Sequence, residues 1–296
     1  MTTAKIIADS ISESGIRITT MELEFERFLL AQLNTHRQFS RSAQSSRAVP
    51  VQKMIDALND NATPVFRQSQ AGMQAGDVIH EFSYAGSESK KIWIEAKTRA
   101  VLFAKDLKML GVAKEIANRL LEPFATVKVV VTATEWDNFF DLRLHHAAQP
   151  EMQQLAQSMK TAMDESVPEM LFAPAYHLPY VDYDTIDLKG LTDCGDEALD
   201  LCKLISAARC ARVSYLNHDN SNPDIEKDLE LAQRLLADKH LSPFEHQAKP
   251  IGLSYTMGCD GKDWTECVGL THVNKNGDLF SGNFRGWIQH RQLVDL

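Results

Sequence analysis

The sequence predicts a mixed α/β (α+β) fold in which helices flank a central β-sheet, and three observations predict it. Residues 16–25 alternate apolar and polar side chains, as a half-buried strand does. Residues 127–134 contain three consecutive valines, which are typical of a buried strand. Helical spacing of apolar residues recurs through much of the remaining chain. Because no change of composition marks a boundary, we expect residues 1–296 to form a single domain, within which residues 90–170 could form a helical subdomain.

The N-terminal half is predicted to continue from the first strand into a short helix and then a loop. Residues 27–37 have helical spacing, whereas Gln38–Arg47 are too rich in serine to propagate a strong helix. Val51–Leu58 resume helical spacing after Pro50, which suits the first turn of a helix. The other predicted elements of this half are a glycine-bounded loop or hairpin at residues 76–86 and two helices over residues 90–121, broken near Gly111.

The C-terminal half is predicted to be mainly helical before a tail of short strands. The spacing predicts helices at residues 136–144, 152–163, 196–209 and 224–237, the last opened by Asn222 and Pro223 as cap and first turn. The tail alternates short strands with glycine-rich turns and closes on Phe284–Val294, which we expect to form a terminal helix.

Charge and composition exclude several classes of protein. The formal net charge of −9 argues against a protein that wraps a nucleic-acid backbone, so any bound anion must meet a few placed cations. No apolar run suits a signal peptide or a membrane span, and we expect a cytoplasmic protein with no membrane partner. The five cysteines form no CxxC pair, which favours plain thiols over disulfides or a metal site.

One segment carries an excess of cations and hydroxyls. Thr35–Arg47 holds three arginines, one histidine and four serines in thirteen residues, a set that could bind a phosphate. A solvated basic loop is the alternative. Arg119 and Arg143 lie on predicted helices, where an arginine could bind a ligand, cap the helix or pair with an acid.

A second candidate cluster is Lys239–His246, in which two histidines flank Ser-Pro and one glutamate. It could serve general acid–base chemistry or bind a metal, although neither HxxxH nor HExxH spacing is present. The sequence contains no GxGxxG, GxxxxGK[ST] or GxSxG motif, which excludes nucleotide binding and hydrolysis by those routes.

Four blocks together resemble the flavin-dependent thymidylate synthase family. THRQFSRSAQSSR resembles the family signature RHRxxSxNxxSxR, in which x is any residue. The other blocks are DNFFDLRLHHAAQPE, ARVSY and HLSPFEH, similar to the family's FLxLR…AQWE helix, ARVSY and HxSPFEH segments. In the usual family order the last two blocks come first, so the chain resembles a circularly permuted, phage-type branch. That branch would place the protein in a bacterial host's cytoplasm.

The resemblance implies a fold like that of these synthases and a homotetramer with FAD at subunit interfaces. It implies conversion of dUMP to dTMP, with methylenetetrahydrofolate as carbon donor and NADPH as the reductant of the flavin. The residues that match the family's nucleotide-binding positions are Gln32, Ser45, Ser46, Arg47, Arg119 and Arg143. Those that match flavin-binding positions are His36, Arg37, Asn138, Ser214, Ser242 and Glu245. Arg143 is the main catalytic candidate, and His240 matches the histidine that stacks on the folate.

Several residues depart from the family pattern. Thr132 and Thr134 stand where the family has a flavin-binding Asn and Arg, and the positions of other motif residues hold Thr35, Ser42, Ala43 and Ala147. Some flavin contacts must then come from elsewhere, and the candidates are Arg41, Arg285, His290 and Arg291. FRGWIQHR at residues 284–291 resembles a second partial copy of the Arg-His-Arg helix, which could also contact the flavin. The alternatives are a hydroxymethylating enzyme, a methylase of another pyrimidine nucleotide, and a non-catalytic flavin- or nucleotide-binding relative.

Overall fold

The computed structural model describes residues 2–58, 62–72, 74–181, 195–213, 223–252 and 264–294. The strands are β1 (Thr3–Ser12), β2 (Arg17–Glu26), β3 (Ser40–Ala43), β4 (Thr126–Ala133), β5 (Glu169–Leu171), β6 (Ala248–Pro250), β7 (His272–Val273), β8 (Leu279–Ser281), β9 (Phe284–Arg285) and β10 (Trp287–Gln289). The α-helices are α1 (Leu30–Leu33), α2 (Val51–Asp56), α3 (Tyr84–Met109), α4 (Lys114–Ala117), α5 (Asp137–Arg143), α6 (Pro150–Glu165), α7 (Gly195–Arg212) and α8 (Ile225–Ala237).

A central sheet of five strands organises the fold, in the order β3-β4-β2-β1-β5. Neighbouring strands are antiparallel except β1 and β5, which are parallel. The prediction of a central sheet flanked by helices is thus confirmed, and so are the strands predicted at residues 16–25 and 127–134. The central position of β4 explains its valines, because Val129, Val130 and Val131 are all fully buried, on alternating faces.

One face of the sheet carries the main hydrophobic core. Alternate residues of β2 and β4, such as Leu23 and Val129, pack against α5 and α6. Phe39 and Phe139 complete this layer, with ring centroids 5.1 Å apart. The core therefore joins the residues before β3 to the helix that ends at Arg143.

The opposite face carries a buried chain of hydrogen bonds that crosses four strands. We call it the hydroxyl–histidine chain. Its members, each bonded to the next, are Ser10, His177, Thr20, Thr132, His246 and Ser42, with distances of 2.9, 2.8, 2.7, 2.8 and 3.0 Å. A neutral imidazole donates from one nitrogen and accepts at the other, so every link can be satisfied with the hydroxyls ordered in one direction. The chain attaches two segments from the C-terminal half to the sheet.

A second apolar cluster joins α2, α3 and α4 beside the sheet. Met54, Ala104 and Leu121 are its central members. The Ser83 side chain caps α3 by accepting a hydrogen bond from the Gly86 amide. Gly111, with φ of 75°, follows the end of α3, as predicted for the break between the two helices. Whether residues 90–170 form a subdomain stays a prediction.

A buried ion pair joins α7 to α8. Asp228 is fully buried and accepts hydrogen bonds from Arg209 and Arg212, which are also buried. Arg209 also donates to the Tyr180 carbonyl at 2.7 Å. Since removing one partner of such a pair leaves an uncompensated buried charge, these residues fix the orientation of α7.

Four details differ from the sequence expectations. β1 was not predicted, and the expected loop at Gln38–Arg47 contains the edge strand β3. The expected terminal helix is instead β9, a turn at Gly286 (φ 71°) and β10, followed by a 3₁₀ turn. A side chain at residue 286 would meet Ile16, and the positive φ there favours glycine and interrupts a helix. The cap of α8 is the Asp224 carboxylate, which accepts from two backbone amides, so Pro223 precedes the helix; the predicted cap Asn222 lies outside the described residues.

Two other expectations concern cysteines and membranes. Cys202, Cys210 and Cys267 are buried free thiols, as predicted, whereas Cys194 and Cys259 lie outside the described residues. Within the described ranges, no helix has the length and apolarity needed to cross a bilayer.

The hydroxyl–histidine chain predicts loss of stability in mild acid. Burial lowers the pKa of both His177 and His246 to about 3, whereas an unfolded histidine titrates near 6.5. Below about pH 6.5 the unfolded chain therefore binds more protons, and stability falls as the pH decreases toward 3. The two residues together predict a loss of about 4 kcal/mol between pH 7 and pH 5.

Urea unfolding followed by circular dichroism at pH 7, 6 and 5 measures this loss. His246→Gln should remove about half of the loss of unfolding free energy that is assigned to the two histidines. A free energy of unfolding that stays constant from pH 7 to pH 5 in the unmodified protein would contradict a neutral buried chain.

Candidate functional site

The segment Thr35–Arg47 is fixed at the edge of the sheet. It begins as the turn after α1 and continues into β3, which pairs with β4 so that Ser40 faces Thr132. Arg41 fixes the turn by donating to the backbone carbonyls of Asn34 at 3.0 Å and His36 at 2.8 Å. The positions of the side chains before and after β3 are therefore determined by the sheet.

Before β3, the structure brings together Gln32, Thr35, His36 and Arg143, which we call the Arg143 cluster. Arg143 Nε donates to His36 Nε2 at 2.9 Å, and its Nη2 lies 3.4 Å from the Thr35 hydroxyl. Gln32 donates to the Gln149 side chain at 2.6 Å. The cluster presents a half-buried guanidinium whose direction is set by a histidine.

His36 is a neutral acceptor in this arrangement. Its ring lies edge-on to Phe139, with centroids 4.9 Å apart, and stacks near Phe39. Burial, with the charges of Arg143 and Arg41, lowers the pKa of His36 to about 4. A neutral imidazole can accept the Arg143 hydrogen bond, which an imidazolium cannot. His36, predicted from the resemblance to bind flavin, is thus placed to orient Arg143.

After β3, the structure brings together Ser46, Arg47, Arg119 and Glu122, which we call the Ser46 cluster. The buried Ser46 hydroxyl donates to Glu122 at 2.6 Å, and Arg119 donates to the same carboxylate at 3.1 Å. Arg47 pairs with Glu115 at 2.9 Å. The Ser45 hydroxyl accepts from the Arg47 amide at 3.3 Å. Cations and hydroxyls that match nucleotide positions of the family therefore lie together, with acidic partners.

The two clusters lie at opposite ends of β3. An extended chain rises roughly 3.3 Å per residue, so Phe39 and Ser45 are about 20 Å apart. Within one subunit, the predicted nucleotide residues are thus divided into two groups.

The HLSPFEH block lies beside β3. His246 contacts Ser42, and Gln289 Nε2 donates to both the Ser40 hydroxyl and the Glu245 carbonyl at 3.1 Å. Ser242 and Glu245 form part of a 3₁₀ turn here, and Glu245 is paired with Arg291. The C-terminal strands thus join two blocks that are about 200 residues apart in sequence.

The structure places His240 and His246 in different surroundings, which does not favour the acid–base or metal cluster considered for them. His246 is fully buried within the hydroxyl–histidine chain, whereas His240 is exposed ahead of the 3₁₀ turn. The two side chains therefore occupy different environments. An exposed His240 is accessible to a ligand.

The other residues predicted to contact the flavin are spread over several parts of the fold. Arg37 and Asn138 are exposed near the Arg143 cluster, in the turn before β3 and on α5, while Ser214 lies outside the described residues. Three of the proposed substitute cations are engaged within the protein: Arg41 with backbone carbonyls, Arg285 with Glu135 at 2.5 Å, and Arg291 with Glu245. His290 is mostly buried, and burial lowers its pKa to about 4. These four are poorly suited to replace the missing flavin contacts.

Sequence reasoning missed the residues that hold the candidates in place. Glu122 and Glu115 carry no motif, although Glu122 follows Arg119 at the three-residue spacing that permits a pair on a helical turn. Asn283 accepts from the Ser40 hydroxyl at 3.1 Å and donates to the Gln38 carbonyl at 2.8 Å. No local sequence signal indicates this contact, because its partners lie more than 240 residues apart.

Two solved structures resemble this chain at low sequence identity. The chain resembles a UMP/dUMP methylase, PolB from Streptomyces cacaoi, in complexes with 5-Br dUMP and 5-Br UMP. The identities are 17% and 18%, and the TM-scores are 0.44 and 0.45. Each alignment covers 57% of this chain, and 91% and 90% of the two PolB chains. No curated protein matches the sequence significantly.

Comparison with family profiles gives a match over just over half of the chain. The profile described as Thymidylate synthase complementing protein, Thy1, matches residues 13–169. This range contains both clusters at the ends of β3 and ends before the ARVSY and HLSPFEH blocks. The chain therefore belongs to the thymidylate synthase complementing protein family, that of the flavin-dependent thymidylate synthases.

Proposed function

We propose that the protein methylates C5 of dUMP to give dTMP, with FAD as cofactor, methylenetetrahydrofolate as carbon donor and NADPH as reductant. The observation that carries this proposal is the guanidinium of Arg143, held by a neutral histidine at one end of a strand whose other end carries a phosphate-binding set of side chains. Both lie within the range that matches the family.

The Ser46 cluster would bind the nucleotide's phosphate. Ser45 and Arg47 are exposed, and Arg119 keeps more than half of its side-chain surface exposed. Guanidinium groups and hydroxyls form strong charge-assisted hydrogen bonds to phosphate oxygens. Arg47 and Arg119, which are paired with Glu115 and Glu122, are the placed cations that an acidic chain needs to bind an anion.

The Arg143 cluster would bind the base. A guanidinium beside the uracil carbonyl oxygens stabilises the negative charge that develops there when C6 accepts a hydride. His36 holds Arg143 through Nε and Thr35 lies near Nη2, while the guanidinium has further N–H donors for a ligand. Gln32, at the same end of β3, has a side-chain amide that can both donate hydrogen bonds to the base and accept them from it.

The residues predicted to bind FAD fit that group by their donor chemistry. Arg37 is an exposed cation suited to the diphosphate, and Asn138 and Ser242 are exposed hydrogen-bond donors. When bound, FAD supplies the hydride for the reaction. Exposed His240 can offer its ring face to the pterin of the folate.

We infer that the nucleotide site is completed between subunits of a homotetramer. The residues assigned to the base and those assigned to the phosphate lie at opposite ends of β3, with roughly 20 Å of backbone between them. A symmetric oligomer can bring the Ser46 cluster of one copy to the Arg143 cluster of another. Exposed apolar residues on α3, including Ile92, Leu102, Phe103 and Met109, offer surface for such association.

We also infer that the chain is circularly permuted relative to the usual family order. The two blocks that resemble ARVSY and HxSPFEH lie after the matched range, not before it. Even so, HLSPFEH packs against β3 in space. A permuted chain can preserve such packing because its termini and connections change while its contacts remain.

The mass of the product tests the reaction directly. Purified protein should take up FAD and absorb near 450 nm, roughly as any oxidised flavin does. With dUMP, methylenetetrahydrofolate and NADPH, mass spectrometry should detect dTMP. A hydroxymethylated product, heavier by one oxygen, would instead support the related hydroxymethylase. Failure to take up FAD would contradict both enzymes.

Replacing Arg143 tests its assigned role. Arg143→Ala should reduce kcat by about 100-fold or more, because a donor aimed at developing charge is lost. FAD should stay bound. Removal of the nearby charge should also raise the pKa of His36 above about 4, which NMR titration of the ring measures. Arg234→Ala, an exposed arginine on α8, is the matched control and should keep full activity. Turnover retained in Arg143→Ala would exclude this role.

A further inference from the structure

One carboxylate takes up several donors of the Ser46 cluster. Glu122 Oε1 accepts the Ser46 hydroxyl at 2.6 Å and lies 3.2 Å from Arg27 Nη2. Glu122 Oε2 lies 3.1 Å from Arg119 Nη1. One hydroxyl and two guanidinium groups thus converge on an anion that belongs to the protein. The same kinds of donor would converge on a phosphate.

This carboxylate is ionised at neutral pH. Burial raises the pKa of Glu122, but the Ser46 hydrogen bond and the charges of Arg27 and Arg119 outweigh burial and lower it overall. An ionised carboxylate repels a phosphate at close range.

The Ser46 hydroxyl cannot serve both anions. A serine has a single proton to donate, and Ser46 is 5% exposed, so the buried hydroxyl has little freedom to find another partner. While it donates to Glu122, it can only accept hydrogen bonds from elsewhere. A phosphate that uses this hydroxyl must therefore replace the carboxylate.

The arrangement is fixed before any ligand binds. Asn118 Nδ2 donates to the carbonyls of Ser46 at 2.8 Å and Val49 at 2.9 Å, which holds the loop after β3. Glu122 opens a 3₁₀ turn with Pro123 in its first turn, so its backbone is also restrained. With the backbone held in this way, a ligand would displace the carboxylate by turning the side chain of Glu122.

A cavity beside the cluster could receive an anion. It has a volume of about 180 Å³, and Arg27, Ser46, Lys53 and Lys128 line its polar side. Glu24 is the acidic residue of this lining. The excess of cations favours an anionic ligand next to the Glu122 contact.

We propose that Glu122 is an internal anion that competes with the nucleotide's phosphate for Ser46, Arg27 and Arg119, and so sets the affinity of the site for phosphorylated ligands. This rests on the proposed function, which places the phosphate at the Ser46 cluster. Arg27, outside every sequence motif, becomes a phosphate-binding residue once Glu122 is displaced. The bound state exchanges one anion for another on the same donors.

Calorimetric titration of wild type and Glu122→Gln with dUMP and with deoxyuridine tests this. The amide keeps the size of the side chain and removes its charge. We expect the Kd of dUMP to fall by roughly tenfold and that of deoxyuridine to stay unchanged, since only dUMP carries the phosphate. Glu230→Gln, the same change at an exposed glutamate on α8, should alter neither value.

If Glu122→Gln binds dUMP no more tightly than the wild-type protein does, the inference is overturned and the proposed function stays intact. A tighter Kd for deoxyuridine as well would also overturn it, because the effect would not depend on phosphate. If neither protein binds dUMP, both the inference and the proposed function fail.

A second measurement needs no variant. In a crystal structure of the wild-type protein with dUMP, we expect the Ser46 hydroxyl to donate to a phosphate oxygen and the Glu122 carboxylate to have turned away. A phosphate bound at Arg47 and Arg119 with the Ser46–Glu122 hydrogen bond still present would overturn the competition.

Discussion

The position of strand β3 is the constraint on which the candidate site depends. β3 is a short edge strand of serine, arginine and alanine, residues that do not favour strands on their own. It is held by backbone pairing with β4 on one side and by the hydroxyl–histidine chain at Ser42. Gln289 and Asn283 attach Ser40 to the C-terminal strands. Because these contacts are buried and hydrogen-bonded, displacement of β3 would leave several polar groups unsatisfied.

The position of β3 determines where the two clusters lie and which groups they present. The turn before β3 places His36 against Phe139, and the helix that carries Phe139 ends at Arg143. The loop after β3 places Ser46 against the turn that begins at Glu122. One strand therefore sets the direction of a guanidinium at one end and of a hydroxyl at the other. The charges around them are nearly balanced, which makes the acidic partners as relevant to ligand affinity as the arginines.

Sequence reasoning predicted those parts of the structure that depend on local pattern. The valines of β4, the alternation in β2 and the apolar spacing of α5 and α6 each reflect burial by immediate neighbours, and all four elements are present. β3 could not be predicted, because its strand conformation depends on pairing with residues about 90 positions later. The terminal helix was wrong because Gly286 has a positive φ and packs against Ile16, a contact that the sequence does not reveal.

The candidate site shows the same difference between what local sequence predicts and what tertiary contacts determine. The motif resemblance identified Arg143, Ser46 and Arg119, but the partners that orient them, Glu122 among them, come from distant or motif-free positions. His36 was assigned to the flavin by its place in the motif, yet its ring nitrogen accepts from Arg143. Residue types thus predicted which chemistry was present, whereas tertiary contacts decide which atoms are available for it.

The central claim is that the clusters at the two ends of β3 bind one nucleotide across a subunit interface. Mixing Arg47→Ala and Arg143→Ala proteins, after dissociation and reassembly, tests it most directly. Each variant alone should have strongly reduced activity, and mixed oligomers should regain turnover, because some interfaces then pair an intact Ser46 cluster with an intact Arg143 cluster. If activity does not return although size-exclusion chromatography and mass spectrometry show mixed oligomers, the two clusters do not form a shared site between subunits.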